Sequence, residues 1–206
     1  MIADRIGPTT QLPERPFTDL RYTRQDLQVM RFMASCAWLA LESSAATEQE
    51  PPIFLYQPDA ERWVHRFVLT QPERLRRSAP LTIVGFFGLR NPGGDVALAQ
   101  RLDRELLPEL SQHEALLAYV SVCLPTGNFA NLVLFASPEG KEQWGMSEKH
   151  AAAVRLLTPD YYAAVRLYNG ELPDGLAACE SLRLRLVKYY DYGSRPLWRA
   201  VRSLEA

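Results

Sequence analysis

ALLAYVSVCLPTGNFANLVLFA, residues 115–136, is the stretch that decides the fold of this 206-residue chain. Two apolar runs rich in β-branched and aromatic residues flank the turn PTGN, a pattern typical of an antiparallel hairpin. Both alternating side-chain sets of the first run are fairly apolar: Leu117, Tyr119 and Cys123 in one, Ala118, Val120 and Val122 in the other. We therefore expect both faces of the sheet to be covered, one by helices and the other by a second copy of the sheet.

The segment before the hairpin predicts a strand and a helix. The short apolar run LTIVGFFGL, residues 81–89, is bounded by NPGGD and indicates a buried strand. Asp95 then caps a helix with Leu98, Leu102 and Leu106 on one stripe.

The segment after the hairpin predicts two helices and a strand. Ser137 followed by Pro138 opens one helix, because serine caps helices and proline favours their first position. Thr158-Pro159 opens a second, PDYYAAVRLY, which Asn169-Gly170 would close. The alternating run SLRLRLVKYYDY, residues 181–192, then indicates a half-exposed strand.

From residue 81 to residue 191 the predicted order is strand, helix, strand, strand, broken helix, strand. This βαββαβ order is the ferredoxin-like arrangement. The sequence thus predicts an α+β fold with an antiparallel sheet, in a domain over residues 81–206 that ends in a short helix around PLWRAVRSL.

Residues 1–80 predict a largely helical N-terminal extension. Thr23 and Asp26 form a capping pattern, so an amphipathic helix is expected from about residue 24 to residue 43. A second helix is expected after a cap at Asp59. Its apolar residues at helical spacing are Trp63, Val64, Phe67 and Val68.

The composition is that of an ordinary globular protein. Hydrophobic residues make up 47%, charged residues 23%, and the formal net charge is -1. A chain without a basic field does not favour nucleic acid, and none is expected as a partner.

The cysteines and the apolar segments indicate a cytoplasmic protein. Cys36, Cys123 and Cys179 are widely spaced without a CxxC pair, which favours reduced thiols over disulfides or a zinc site. The run Met1–Leu12 lacks the basic and apolar regions typical of a signal peptide, so none is expected, and the apolar run Phe32–Leu41 is too short to span a bilayer.

Trp144 and His150 are the first candidate functional residues, six positions apart on one predicted helix. Histidine titrates near neutrality and serves as a proton acceptor or an iron ligand, so His150 is the candidate catalytic group. The alternative is packing, with His150 at the edge of a helix face formed by Met146, Ala153 and Val154.

A second candidate cluster follows in Tyr161, Tyr162 and Arg166, where phenols beside a guanidinium suit an anionic or aromatic ligand. Tyr161 is the candidate catalytic phenol of this group, and Tyr162 and Arg166 are ligand-binding candidates. Tyr189 of the last predicted strand adds a further ligand-binding candidate. The alternative is that these side chains only cover the end of the sheet.

The order of elements over residues 81–191, the strand-to-helix step NLVLFASPEGKEQW and the late strand LVKYYDY resemble the dimeric α/β-barrel superfamily. The likeness is to its antibiotic-biosynthesis-monooxygenase-like branch. The resemblance implies a homodimer and a cavity for a small molecule. Members include cofactor-independent oxygenases, heme-degrading enzymes and proteins without known activity, so the fold alone does not select a function.

The heme-degrading members pair an asparagine on the first strand with a tryptophan at the end of the third and a histidine on the next helix. Here the first strand has no asparagine, and Phe135 occupies the tryptophan position. Only His150 matches, so heme is a cofactor hypothesis that rests on one residue.

Two functions stay open from the sequence. The first is an oxygenase-like enzyme that binds an aromatic or heme-related molecule, with His150 as base or ligand. The second is a non-catalytic ligand-binding or interaction module of the same fold, which the missing catalytic motif favours.

Overall fold

The computed structural model describes residues 3–44, 50–58, 64–158 and 160–205. The strands in these ranges are β1 Asp4–Ile6, β2 Ile53–Pro58, β3 Val64–Leu69, β4 Leu81–Arg90, β5 Leu116–Cys123, β6 Phe129–Phe135, β7 Tyr162–Leu172, β8 Arg183–Asp191 and β9 Trp198–Ser203. The α-helices are α1 Leu20–Ser44, α2 Pro72–Arg77, α3 Val96–Leu110, α4 Pro138–Gly145 and α5 Glu148–Leu157. Short 3-10 helices span Pro16–Thr18 and Leu176–Ser181.

The described strands form a nine-stranded sheet in the order β1-β9-β8-β7-β4-β6-β5-β3-β2. β1 pairs with β9 in parallel, and the other neighbours are antiparallel. The predicted fold class, a ferredoxin-like βαββαβ unit with an antiparallel sheet and a largely helical extension, is therefore wrong. The observed sheet is mixed and much wider, because several segments predicted as helices are strands.

The segment PDYYAAVRLY is the most consequential of these corrections. Its residues 162–168 belong to β7, which lies between β4 and β8, rather than to a helix. Its tyrosines and Val165 fit helical spacing but also fit a pleated strand, where aromatic and β-branched residues pack well. Asn169-Gly170 lies inside the strand at a bulge, where a Cβ on Gly170 would stand 2.1 Å from the Arg183 carbonyl oxygen.

The C-terminal helix predicted around PLWRAVRSL is also wrong, because this segment forms β9 against β8. The second N-terminal helix is wrong as well, since residues 64–69 form β3 between β2 and β5. Asp59 and Trp63, which were part of that prediction, lie outside the described residues. Strands from both sides of residue 80 thus share one sheet.

The first predicted helix is confirmed, although it begins one turn earlier, at Leu20. Asp19 Oδ1 accepts a hydrogen bond of 2.8 Å from the Arg21 amide and so supports the start of α1. The caps at Asp95 and Ser137 are confirmed, since their side chains accept from the Leu98 and Gly140 amides.

Helix α1 covers one face of the sheet and takes the place predicted for a second copy. Its side chains Met30, Met33 and Leu41 are fully buried in one apolar cluster with Phe87 of β4. Gly85 permits the close approach, because a Cβ there would lie 2.2 Å from Met30 Sδ. The uncovered sheet face that argued for a homodimer is therefore absent from the described structure, and the homodimer stays a prediction.

Helices α3, α4 and α5 lie over the opposite face of the sheet. Gly140 brings α4 against the start of β5, since a Cβ at this position would stand 2.0 Å from Ala115 Cβ. None of the described helices combines the length and the apolar character that a membrane crossing requires.

Candidate functional site

A cavity of about 860 Å³ lies between the sheet and helices α3, α4 and α5. This volume is within the range of sites that hold small organic molecules. Apolar and aromatic side chains from the sheet and the helices dominate its lining, among them Val84, Phe86, Val133, Trp144, Leu157 and Tyr162.

The core on the cavity face of the sheet is divided into two apolar clusters. One apolar cluster surrounds Leu110, Val133 and Trp144, and another surrounds Ala99 and Tyr162. The face under α1, in contrast, forms one continuous cluster. Helices α3, α4 and α5 thus leave a gap between their clusters, whereas α1, a single helix of 25 residues, packs on the continuous cluster of the other side.

Arg66 of β3 and Asp103 of α3 form a two-point ion pair at one side of the cavity. Arg66 donates to both carboxylate oxygens, with Nη2 at 2.7 Å from Oδ1. The guanidinium also lies 5.6 Å from the centre of the Tyr119 ring. Burial and the charge of Asp103 raise the pKa of Tyr119, although Arg66 opposes them, so this phenol stays protonated at neutral pH.

Lys141, Asn169 and Lys188 form the second polar group of the lining. Lys141 Nζ donates a hydrogen bond of 3.2 Å to Asn169 Oδ1. Asn169 Nδ2 is buried and has no hydrogen-bond partner among the described residues. Lys188 stands on β8 opposite Leu167, two residues from Asn169 on the neighbouring strand, and its alternation places it on the same face.

An aromatic group closes the end of the cavity near β7. The Tyr162 and Phe86 rings meet edge to face with centroids 5.2 Å apart, and Tyr192 stacks on Tyr190 at 6.1 Å. Burial raises the pKa of Tyr162, and it raises the pKa of Tyr192 to about 12. These phenols are therefore neutral, and their rings offer faces to a flat ligand.

The structure brings Trp144 and Tyr162, of the predicted site residues, into the cavity lining. Tyr161 is 1% exposed and packs beneath the turn after β4, where its Cα lies 3.1 Å from a Cβ built on Gly94. His150 lies in α5, and its side chain is outside the described part of the chain.

Arg166 and Tyr189 lie on the opposite face of the sheet, under α1 and the segment before it. Arg166 pairs with Asp26 of α1 through bonds of 2.6 and 3.0 Å, and Tyr168 donates to the same carboxylate at 2.8 Å. Tyr189 is 1% exposed, with its hydroxyl 3.5 Å from the Thr18 carbonyl oxygen. These contacts hold α1 and the segment before it against the sheet.

Sequence reasoning missed Arg66, Asp103, Tyr119 and Lys141 as lining residues. Arg66 was assigned to a helix, and the other three carry no motif that marks them. Taking residues 162–172 as a strand would have helped, because alternation then puts Asn169 on the face opposite Arg166.

The described residues contain no group of three histidine, cysteine, aspartate or glutamate side chains that could hold a metal ion. The described lining likewise offers no imidazole to heme iron, and its buried phenols have raised pKa values that disfavour the phenolate form. Heme therefore stays a prediction that rests on His150.

No protein-family model matches this sequence, and no curated protein does so either. Among solved structures, the chain is similar to a protein of unknown function from Nitrosomonas europaea, with 19% identity and a TM-score of 0.39. The match covers 45% of this chain and 88% of that one. So distant a likeness carries no argument about fold or function, and the resemblance to the dimeric α/β-barrel superfamily stays a prediction.

Proposed function

We propose that this protein binds a small aromatic molecule in the cavity between the sheet and helices α3, α4 and α5. The observation that carries the proposal is the cavity itself, with its volume of about 860 Å³ and its largely apolar lining. A concave apolar site with a few convergent polar groups is the usual form of a small-molecule site.

The aromatic preference rests on the shape and chemistry of the walls. Phe86, Tyr162 and Tyr192 present rings at one end, and Trp144 presents its indole at another part of the wall. Rings gain from edge-to-face and stacked contacts with other rings beyond the gain from burial alone. A flat aromatic ligand uses these walls better than a branched aliphatic one.

The test uses phenylnaphthylamine, a neutral probe whose fluorescence rises in an apolar site. We expect saturable binding to the purified protein and loss of binding in Ala99→Phe, which places a ring in the cavity wall. Ala97→Phe is the matched control, because Ala97 lies on the same helix but is exposed. Equal binding by both variants, or none by the wild type, would overturn the proposal.

A second filling variant guards against misfolding of the first. Ser121 lines the cavity from β5, and Ser121→Phe blocks it from the sheet side. Circular dichroism establishes that each variant is folded before its binding is compared.

Oxygenase-like catalysis and a heme-related ligand are separate predictions from the resemblance. A hemin titration that gives a Soret band sensitive to Ala99→Phe would favour heme over an organic aromatic. Oxygen uptake in the presence of the bound molecule distinguishes an enzyme from a non-catalytic binding module.

The cytoplasmic location belongs with these proposals. Cys36, Cys123 and Cys179 form no disulfide bond in the described structure, which accords with a reducing compartment. Cell fractionation with an antibody to the native protein tests it, and recovery outside the cytoplasm would reject it.

A further inference from the structure

We infer that the ligand of this cavity is an aromatic carboxylic acid, whose carboxylate binds to Lys141, Asn169 and Lys188. The inference rests on the proposed function, since it names the chemical class of the molecule for the same cavity. Three observations on the described residues carry it: an amide with a free donor, two half-buried ammonium groups without an acid partner, and the neutralisation of Arg66, the other half-buried cation of the lining.

The orientation of the Asn169 amide provides the first observation. Lys141 Nζ lies 3.2 Å from this side chain, and an ammonium group has only donors to offer. The amide oxygen must therefore face Lys141, because the NH₂ group in that place would set one donor against another. The NH₂ group is left buried without a partner among the described residues.

A buried donor without an acceptor is costly, so such a group indicates a missing partner. The partner must be an acceptor. An anionic oxygen satisfies the amide and interacts favourably with the lysine that orients it.

The two lysines provide the second observation. The chain has only three lysines, and two of them, Lys141 and Lys188, line this cavity. Within the described residues neither forms an ion pair with a carboxylate, whereas the third, Lys149, pairs with Glu109. Both lining lysines are half-buried, so water screens their charges less than it would on the surface.

The pairing of Arg66 with Asp103 provides the third observation. Its charge is matched by Asp103 through two hydrogen bonds, so this side of the cavity carries little net charge. Arg104 and Glu142 also line the cavity, but both are exposed and of opposite charge. The uncompensated positive charge is therefore concentrated at Lys141 and Lys188.

A carboxylate suits this group better than a phosphate ester. Its two oxygens match one amide donor and the ammonium groups beside it, and it carries a single charge into a largely apolar cavity. A dianion requires more donors to offset the loss of its hydration, because burying charge without enough partners is strongly unfavourable.

The experiment compares two ligands of nearly the same shape, naphthoate and the neutral naphthalenemethanol, by displacement of phenylnaphthylamine at neutral pH. Wild type is expected to bind the acid at least about tenfold more tightly than the alcohol, consistent with a charge-assisted pair. Lys188→Met and Asn169→Asp should each remove that preference while leaving the affinity for the alcohol within about twofold. Lys149→Met is the matched control and should keep the preference.

The outcomes separate the inference from the function on which it rests. If phenylnaphthylamine and the alcohol bind but the acid is not preferred, the carboxylate site is rejected and the cavity function stands. Survival of the preference in both variants rejects it as well. If none of the three compounds binds wild type, the proposed function itself fails.

Discussion

The two faces of the sheet are built from alternate residues of the same strands, yet they are packed differently. Under α1 a continuous core includes Met30, Phe87 and Tyr168, together with the buried pair Asp26–Arg166. Under the three shorter helices the core is divided around a cavity. The difference shows that protein side chains fill one face, whereas the other face contains a cavity, in which we propose that a ligand binds.

The largest expected effect is on the face under α1. Asp26→Asn leaves Arg166 buried with its charge unmatched, and we expect a loss of about 3–5 kcal/mol in the free energy of unfolding. Urea denaturation measures it, with the exposed Asp174→Asn as control. A loss under about 1 kcal/mol would mean that the pair does not hold this face together.

The second prediction compares the loss of stability when a side chain is enlarged on each face of the sheet. Gly85→Ala forces a Cβ against Met30 Sδ and should destabilise the protein by about 1–3 kcal/mol. Ser121→Val adds atoms to the cavity side of β5 and should change stability by less than about 0.5 kcal/mol.

Gly93→Ala is the control for Gly85→Ala, because a Cβ on Gly93 meets nothing within 4 Å. Thermal and urea unfolding give the three values. Equal losses for Gly85→Ala and Ser121→Val would remove the distinction between a filled face and an unfilled one.

A smaller effect is expected at the ion pair between the sheet and α3. Arg66→Met breaks the bond to Asp103, whose side chain is 38% exposed, so the loss should be about 1 kcal/mol or less. Because this pair fastens α3 over the cavity, backbone amides of α3 should exchange hydrogen faster. Arg101→Met, at an exposed arginine of the same helix, is the control, and unchanged exchange in α3 would contradict the role.

The last expected effect is a loss of stability at alkaline pH, which is absent at neutral pH. Burial raises the pKa of Tyr168 under α1 and of Tyr119, Tyr162 and Tyr192 at the cavity, the last to about 12. The unfolded chain ionises its tyrosines near pH 10, so above that pH the folded chain holds more protons. Stability should therefore be unaffected by these groups below pH 10 and fall as the pH rises from about 10 to 12.

Urea unfolding across this pH range tests the alkaline prediction. Tyr192→Phe removes one ionising group and should make the fall less steep. The same steepness in this variant as in wild type would show that Tyr192 ionises alike in both states.

The parts of the fold that sequence predicted correctly depend on local signals. The caps at Asp95 and Ser137 and the turn between β5 and β6 are set by neighbouring residues, and they are confirmed. The prediction of a helix at β7 is wrong because Tyr162 and Val165 suit helix and strand spacing alike, and pairing with β4 and β8 selects the strand.

The candidate site was harder to predict because its polar groups come from distant segments. Arg66, Asp103, Lys141 and Asn169 lie on β3, α3, α4 and β7, and no sequence spacing links them. Trp144 was found for its residue type, without knowledge of the cavity beside it. Which of these residues meet at the cavity depends on the order of the strands and the placement of the helices, and local sequence patterns do not predict either.

If the cavity binds a ligand as we propose, the division of the core also separates the substitutions that alter ligand choice from those that alter folding. In β4, β5 and β6 a residue that lines the cavity is followed by a residue that packs under α1. Adjacent positions in the sequence therefore contribute to different faces of the sheet. A library varied at the cavity positions alone samples new specificities on an unchanged scaffold. Those positions are Val84, Phe86, Tyr119, Ser121, Asn131 and Val133. The protein is in this sense a starting point for designed small-molecule receptors.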